Sequence, residues 1–206
     1  MAFKNLLFDL GGVILDLAPE RSIEAFKRLG CPPEVFKGEF WLTGIFGKMD
    51  RGTASEAEFY QEIRRLGHIP HATDAEILKA WNMFIPGVKP RTFEALKRLK
   101  EKFPLYMLSN INLMHWRKCQ EDLMLYQGEN AFDWFTKVFA SFQMHLQKPE
   151  RAIYETVAKE AHIIPAETLF IDDRQENLDG AATVGFQTMK TKDGDWIDKL
   201  NIFNPQ

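Results

Sequence analysis

From residue 87 onward the chain alternates short apolar runs with amphipathic segments, and no other feature narrows its fold as much. The segment "PRTFEALKRLKEK" puts Phe93, Leu96 and Leu99 on one helical face and turns Arg98 and Lys100 outward. "PLYMLS" reads as a strand ending at Ser109, "NLMHWRKCQEDLM" as a helix, and "KVFAS" as a strand ending at Ser141. "PERAIYETVAKEAH" is a helix with Pro149 near its first turn. "TLFID" is a strand ending at Asp172, "ENLDGAATVG" a helix stopped by Gly185, and "FQTMK" a last strand. Apolar strands alternating with helices predict an α/β fold, a parallel sheet with helices on both faces. Its first strand lies far upstream, in "KNLLFD" at residues 4–9, closed by the Gly11-Gly12 turn.

Between that strand and residue 87 the period is helical. "SEAE" from Ser55 and "TDAE" from Thr73 are capping boxes, in which Glu58 and Glu76 reach back to the N-cap amides. Gly30 with Pro32-Pro33 ends one helix and Gly67 another. No strand pattern occurs there, and the length accommodates about four helices. The expected organisation is a core domain from residues 1–17 and 87–206 and a helical insertion over 18–86.

The net charge of −3 gives no reason to expect nucleic acid or an anionic membrane as partner. No apolar stretch reaches the length of a membrane span. Asp9 and Asp16 interrupt the N-terminal apolar run, which therefore does not read as a signal peptide. Cys31 and Cys119, the two cysteines, suit buried reduced thiols rather than a disulfide framework or zinc site. A cytoplasmic protein, monomer or homodimer, is expected.

In open parallel sheets, ligands bind at the carboxyl ends of the strands. Here those ends carry Asp9, Ser109 with Asn110, the Lys148 loop, and Asp172 with Asp173. Three carboxylates brought together repel one another. Lys148 and a divalent cation would balance them, and an all-oxygen set suits Mg²⁺, with the Gly11 carbonyl as a further ligand. Asp9 could then attack phosphorus to give an aspartyl-phosphate that water hydrolyses. The Gly11-Gly12 turn lets backbone N–H groups approach phosphate oxygens, and Ser109 and Asn110 add donors.

Four motifs carry a family resemblance. "FDLGGV", "MLSN", "QKPERAIY" and "LFIDDRQEN" stand in the order of motifs I to IV of the haloacid dehalogenase-like (HAD) hydrolases. The insertion after the first resembles that family's C1 cap. The resemblance spans nearly the whole chain and implies a Rossmann-like core under an all-helical cap. It implies Asp9 as nucleophile; Asp9, Asp173 and the Gly11 carbonyl on Mg²⁺, with Asp172 joining through water; and Gly11, Ser109, Asn110 and Lys148 around phosphate. Among HAD hydrolases the pattern is most similar to small bacterial sugar-phosphate phosphatases with glycine in motif I, and Asn112, His115 and Asn177 also match them.

That glycine is a departure from most HAD phosphatases, which carry at this place the aspartate that protonates the leaving oxygen. Positioned acid–base help is typically worth roughly 10²- to 10⁴-fold. A cap residue or water could replace it; turnover could be slow; or the leaving group could be good. A sugar 1-phosphate, whose leaving oxygen is hemiacetal, suits the last case. Two other functions stay open: 2-haloacid dehalogenation, which needs no metal, and phosphate binding with little turnover.

Other residues have ordinary readings beside functional ones. Ser109-Asn110 could only cap the next helix, and Lys148 could be a solvated loop lysine. His115 and His145 are as readily structural as substrate-facing. The aromatic stretch 40–46 reads as core of the insertion, with a pocket role as its alternative. Asp50-Arg51-Gly52 leads into the capped helix, though Arg51 could face the site.

Overall fold

The computed structural model describes residues 3–36 and 44–202. The aromatic stretch 40–46 therefore lies, up to residue 43, outside the described residues. The chain runs β1 (Asn5–Phe8), β2 (Leu15–Asp16), α1 (Pro19–Arg28), α2 (Ile45–Asp50), α3 (Glu56–Gly67), α4 (Asp74–Asn82) and β3 (Gly87–Val88). It continues through α5 (Pro90–Lys100), β4 (Leu105–Ser109), α6 (Leu113–Lys118), β5 (Leu125–Tyr126), β6 (Glu129–Asn130) and β7 (Lys137–Ala140). It ends with α7 (Ser141–Met144), α8 (Arg151–Glu160), β8 (Thr168–Asp172), α9 (Gln175–Ala182), β9 (Gln187–Lys190) and α10 (Trp196–Lys199).

Five strands form one parallel sheet in the order β7-β4-β1-β8-β9. β1 sits at its centre, with Leu6 opposite Leu105 of β4 and Leu7 opposite Phe170 of β8. The chain builds outward from β1 to β4 and β7, then returns to place β8 against the other side of β1. That reversal is the topological switch point of a doubly wound sheet. The pleat sorts the core: Leu6, Phe8, Met107 and Ile171 point into one cluster with Phe93 and Leu96 of α5. Leu7, Leu108 and Phe170 point into another with Ile153 and Tyr154 of α8 and Leu178 of α9. Strands buried on both faces explain the uninterrupted apolar runs.

The helices α1 to α4 enclose a separate apolar cluster, including Phe26, Phe46, Phe59, Ile63 and Trp81, into which Met114 of α6 reaches. Both capping boxes are present: Ser55 and Thr73 accept from the amides of Glu58 and Glu76, whose carboxylates return to the N-cap amides. Gly67 needs a different account from the one its sequence position suggested. It is the last helical residue of α3, and His68 takes the left-handed conformation with φ 53°. Gly67 is small because a Cβ there would come within 2.7 Å of Cys31 Sγ. The two chain passages between insertion and core pair as a two-residue antiparallel ribbon, β2 with β3, Leu15 opposite Val88. Two residues carry no readable alternation, so the sequence did not announce it. Cys31 and Cys119 are buried free thiols. Among the described residues no helix is long and apolar enough to cross a membrane.

Candidate active site

Asp9 directly follows β1 and Asp172 ends β8, so the two acids flank the switch point. Each is buried, at 7% and 0% exposure. The Asp9 amide bonds the Ile171 carbonyl at 2.9 Å, which carries the ladder to the site's edge. Between them stands Lys148, 5% exposed, its Nζ 2.8 Å from Asp9 Oδ1 and 2.7 Å from Asp172 Oδ2. Burial works against the Lys148 ammonium, but the two carboxylates outweigh it and its pKa is raised. Burial pushes the Asp9 carboxyl up to about 7, Lys148 opposes that rise, and Asp172 adds to it. A second donor, the Leu10 amide, reaches the same Asp9 oxygen at 2.7 Å, so the plane of the carboxylate is set.

Asp172 is braced more fully. Asn177 Nδ2 donates to its two oxygens at 3.0 and 3.1 Å, and the Arg174 amide donates at 2.8 Å. Asn177 is itself held through its carbonyl, which accepts from the Tyr154 hydroxyl at 2.7 Å. Asp172 thus meets Lys148 through a carboxylate held in place from two other sides. Asp173 is half-buried, and burial followed by the Asp172 charge raises its pKa. It lies against the turn after β1: with φ +75° at Gly12, a Cβ there would sit 2.6 Å from Asp173 Oδ2. Asp9, Asp172 and Asp173 each offer an oxygen within 4.8 Å of one another. Three carboxylates facing one ammonium leave a deficit that a hard divalent cation matches in charge and in donor type.

Ser109 ends β4 and is buried at the same edge. The Asn110 side chain clamps the loop that carries the lysine: its Nδ2 donates to the Lys148 carbonyl at 2.9 Å and its Oδ1 accepts from the Lys148 amide at 2.9 Å. The second Nδ2 hydrogen and the main-chain N–H are the donors Asn110 has left. The Lys148–Pro149 peptide is cis. Asp9, Gly11, Ser109, Asn110, Lys148 and Asp173 line one cleft of about 440 Å³, whereas Asp172 lies behind it.

The opposite wall comes from the insertion, through Phe46, Asp50, Trp81, Phe84 and Ile85, with Leu17 just before it. His115 joins it from α6, stacked on Trp81 with ring centroids 4.7 Å apart and its Nε2 3.2 Å from the Trp81 carbonyl. Burial depresses its pKa to about 4, so it is neutral near pH 7. Asn112 N-caps α6, accepting from the His115 amide at 3.0 Å, and its Nδ2 donates to Asp50 Oδ1 at 3.3 Å. Arg51 turns from the cleft to pair with Glu150. His145, left-handed at φ 56°, meets the Arg51 carbonyl through Nδ1 at 2.8 Å.

Residues 3–185 match the haloacid dehalogenase-like hydrolase family. The chain belongs to that family. Among similar HAD proteins is the D-ribitol-5-phosphate phosphatase of Bacteroides thetaiotaomicron, 32% identical over 204 residues, 97% of each chain. A crystal structure of a HAD family enzyme from the same organism, complexed with magnesium and inorganic phosphate, superposes with a TM-score of 0.91. It is 36% identical, covering 97% of this chain and 99% of that one. A sesquiterpene phosphatase from Aspergillus oryzae is 28% identical over 187 residues, 89% of this chain and 87% of its own. This chain is accordingly a HAD hydrolase of the phosphatase kind. Sequence reasoning did not assign Asp50 to the site. Its only signal was an acid at the end of a helix in the insertion, which is common on any surface.

Proposed function

We propose that the chain is a Mg²⁺-dependent phosphomonoester hydrolase that acts on a small phosphorylated sugar or sugar alcohol, with Asp9 as nucleophile. The observation that carries this reading is the Lys148 ammonium set between Asp9 and Asp172, with Asp173 beside them at the switch point. Asp9, Asp173 and the Gly11 carbonyl would hold Mg²⁺, and Asp172 would join that set through water. The cation supplies positive charge against the transferring phosphoryl group.

The chain's own residues do the rest. Lys148 and Leu10 hold the Asp9 carboxylate in one plane. Its free oxygen forms a bond to phosphorus while the ester P–O bond breaks and the leaving oxygen takes up a proton. Water then attacks phosphorus, releases inorganic phosphate and restores the carboxylate. Ser109, the Asn110 and Gly11-region N–H groups and Lys148 bind the phosphoryl oxygens, and the Lys148 charge offsets theirs. Residues 18–86 act as a cap over the core, joined by the β2–β3 ribbon; their own apolar cluster supports treating them as one body. Phe46, Trp81, Phe84 and Leu17 shield the reaction from bulk water.

The acid pair Asp172-Asp173 disfavours the dehalogenase reading, since it would repel an acidic substrate. The relative's pentitol 5-phosphate sets the substrate class to test first. Among phosphorylated aldoses, a sugar 1-phosphate makes the smallest demand on a proton donor, given glycine at position 11. Hydrolysis of a phosphorylated sugar panel, with Mg²⁺ and with EDTA, decides both points. Activity unaffected by EDTA would overturn the phosphatase mechanism. Sugar 6-phosphates cleaved much faster than 1-phosphates would overturn the 1-phosphate preference.

A further inference from the structure

We propose that Asp50 is the proton donor to the leaving oxygen, placed there by the insertion because position 11 has no side chain to do it. The proposal rests on the reading of Asp9 as nucleophile. Gly11 is not glycine for backbone reasons. It lies outside the left-handed region, and a Cβ there would meet nothing nearer than Leu17 Cδ2 at 3.4 Å. A Cβ could have stood there, and an ordinary alkoxide leaving group still needs an acid.

Among the described residues the carboxylates lining the cleft are Asp9, Asp50, Asp173 and Glu176. Asp9 and Asp173 belong to the cation set, and exposed Glu176 is paired with Arg174 at 2.5 Å. That leaves Asp50, the acid contributed from the side where the leaving group must lie. Among the described residues no salt bridge involves it. Its nearest cation in sequence, Arg51, is turned to Glu150, and His115 stands neutral beyond Asn112. Burial pushes the Asp50 carboxyl up to about 7, with the Asn112 hydrogen bond only partly opposing, so about half of it holds a proton at pH 7 and it can both give and take one.

Its position is set by the core as firmly as by the insertion. The Ser141 hydroxyl donates to the Asp50 carbonyl at 2.5 Å, and the Asn112 amide holds Oδ1. Two residues on, Gly52 has φ +65° and packs so closely on Phe142 that a Cβ would lie 2.1 Å from its carbonyl oxygen. The turn that carries Asp50 is pinned to the 141–145 segment at three neighbouring points, the third through His145 and the Arg51 carbonyl. In the first half-reaction the O–P bond to Asp9 forms, the ester bond breaks, and the Asp50 proton passes to the leaving oxygen to give the alcohol. In the second, Asp50 takes a proton from the attacking water and is restored.

The test compares Asp50→Asn with the parent, in Mg²⁺, on ribitol 5-phosphate and on p-nitrophenyl phosphate, whose phenolate leaves without a proton. We expect kcat/KM on the alkyl ester to fall roughly 10²- to 10³-fold. The aryl ester should keep its kcat/KM and show a burst of phenolate before slow turnover. The ratio of the two is read in one preparation, so partial misfolding cannot produce it. Gly11→Asp in the Asp50→Asn background should restore alkyl cleavage, since the Cβ has room. Equal loss on both esters, or no loss on either, overturns the assignment of Asp50 alone. A parent protein that cleaves neither ester with Mg²⁺ overturns the reading of the site itself.

Discussion

Replacing Asp9 by Asn keeps the shape of the side chain and its acceptor for the Leu10 amide while removing one charge from a buried cluster. In EDTA the parent holds this carboxyl at about 7 against an ordinary 3.8. The folded-state value lies above the unfolded one, so the native protein keeps a proton that the unfolded chain has lost. Stability therefore falls as pH climbs from about 4 through about 7. Each pKa unit is worth about 1.4 kcal/mol, so the cost of the ionised group grows by up to about 3 kcal/mol between pH 5 and pH 8. An amide has no such cost. Asp9→Asn should be the more stable protein in EDTA, with an advantage in Tm that widens by roughly 5–10 °C from pH 5 to pH 8. Mg²⁺ at 100 times its Kd should stabilise the parent by about 2.7 kcal/mol and the variant by much less. Turnover with Mg²⁺ should drop by roughly 10⁴-fold or more, because the neutral amide offers no anionic oxygen to take the phosphoryl group. Calorimetry at the two pH values and a phosphate-release assay read all three quantities. A variant that loses stability as pH rises as steeply as the parent would refute the electrostatic account. A variant that turns over normally would refute the chemical one.

Three further perturbations follow from the same geometry. Lys148→Met strands two buried carboxylates whose partner lies 2.7–2.8 Å away, and should cost about 3–5 kcal/mol, a Tm loss of roughly 10 °C by calorimetry. Part of it should return on adding Mg²⁺. Gly12→Ala places a Cβ at φ +75° against Asp173 Oδ2; it should cost about 1–2 kcal/mol and weaken Mg²⁺ binding roughly tenfold by titration calorimetry, with a smaller effect on cation binding refuting the contact. His115, depressed to about 4, makes the parent lose stability as pH falls below 6.5, by up to about 3 kcal/mol near pH 4. His115→Gln should flatten that acid limb in melts taken from pH 7 to pH 4.5.

Much of the site was legible because a parallel sheet delivers every strand end to one edge. Once "FDLGG", "MLSN" and "LFIDD" read as strands with their turns, Asp9, Ser109, Asp172 and Asp173 had to meet, whatever the angles between helices. Lys148 needed only a loop at the same edge. What could not be read were contacts that depend on how the insertion lies on the core. Asn112 meets Asp50 across 62 residues of chain, and no periodicity encodes that meeting. The clamp that the Asn110 side chain makes on the Lys148 loop was equally hidden, since it joins residues 38 apart. The β5–β6 hairpin escaped notice because its turn uses Gln127 at φ 51° before Gly128, where Asn or Asp is the usual signal.

Gly11 and Gly12 show most sharply why composition at a motif is not its mechanism. Adjacent and chemically identical, they are glycine for unrelated reasons. Gly12 answers to its own backbone and to Asp173, which leaves no room for a Cβ; Gly11 answers to neither. Leu17 stands beside Gly11, and among the described residues the carboxyl raised to about 7 that the cleft offers outside the cation set comes from the insertion. Moving the acid from the core to the insertion ties the proton to the same body that surrounds the leaving group. A substrate that does not fit between Phe46, Phe84 and Leu17 would displace that body and with it the Asp50 contact to Asn112. Selection among phosphate esters would then act on kcat as well as on KM, since binding and proton delivery depend on one surface.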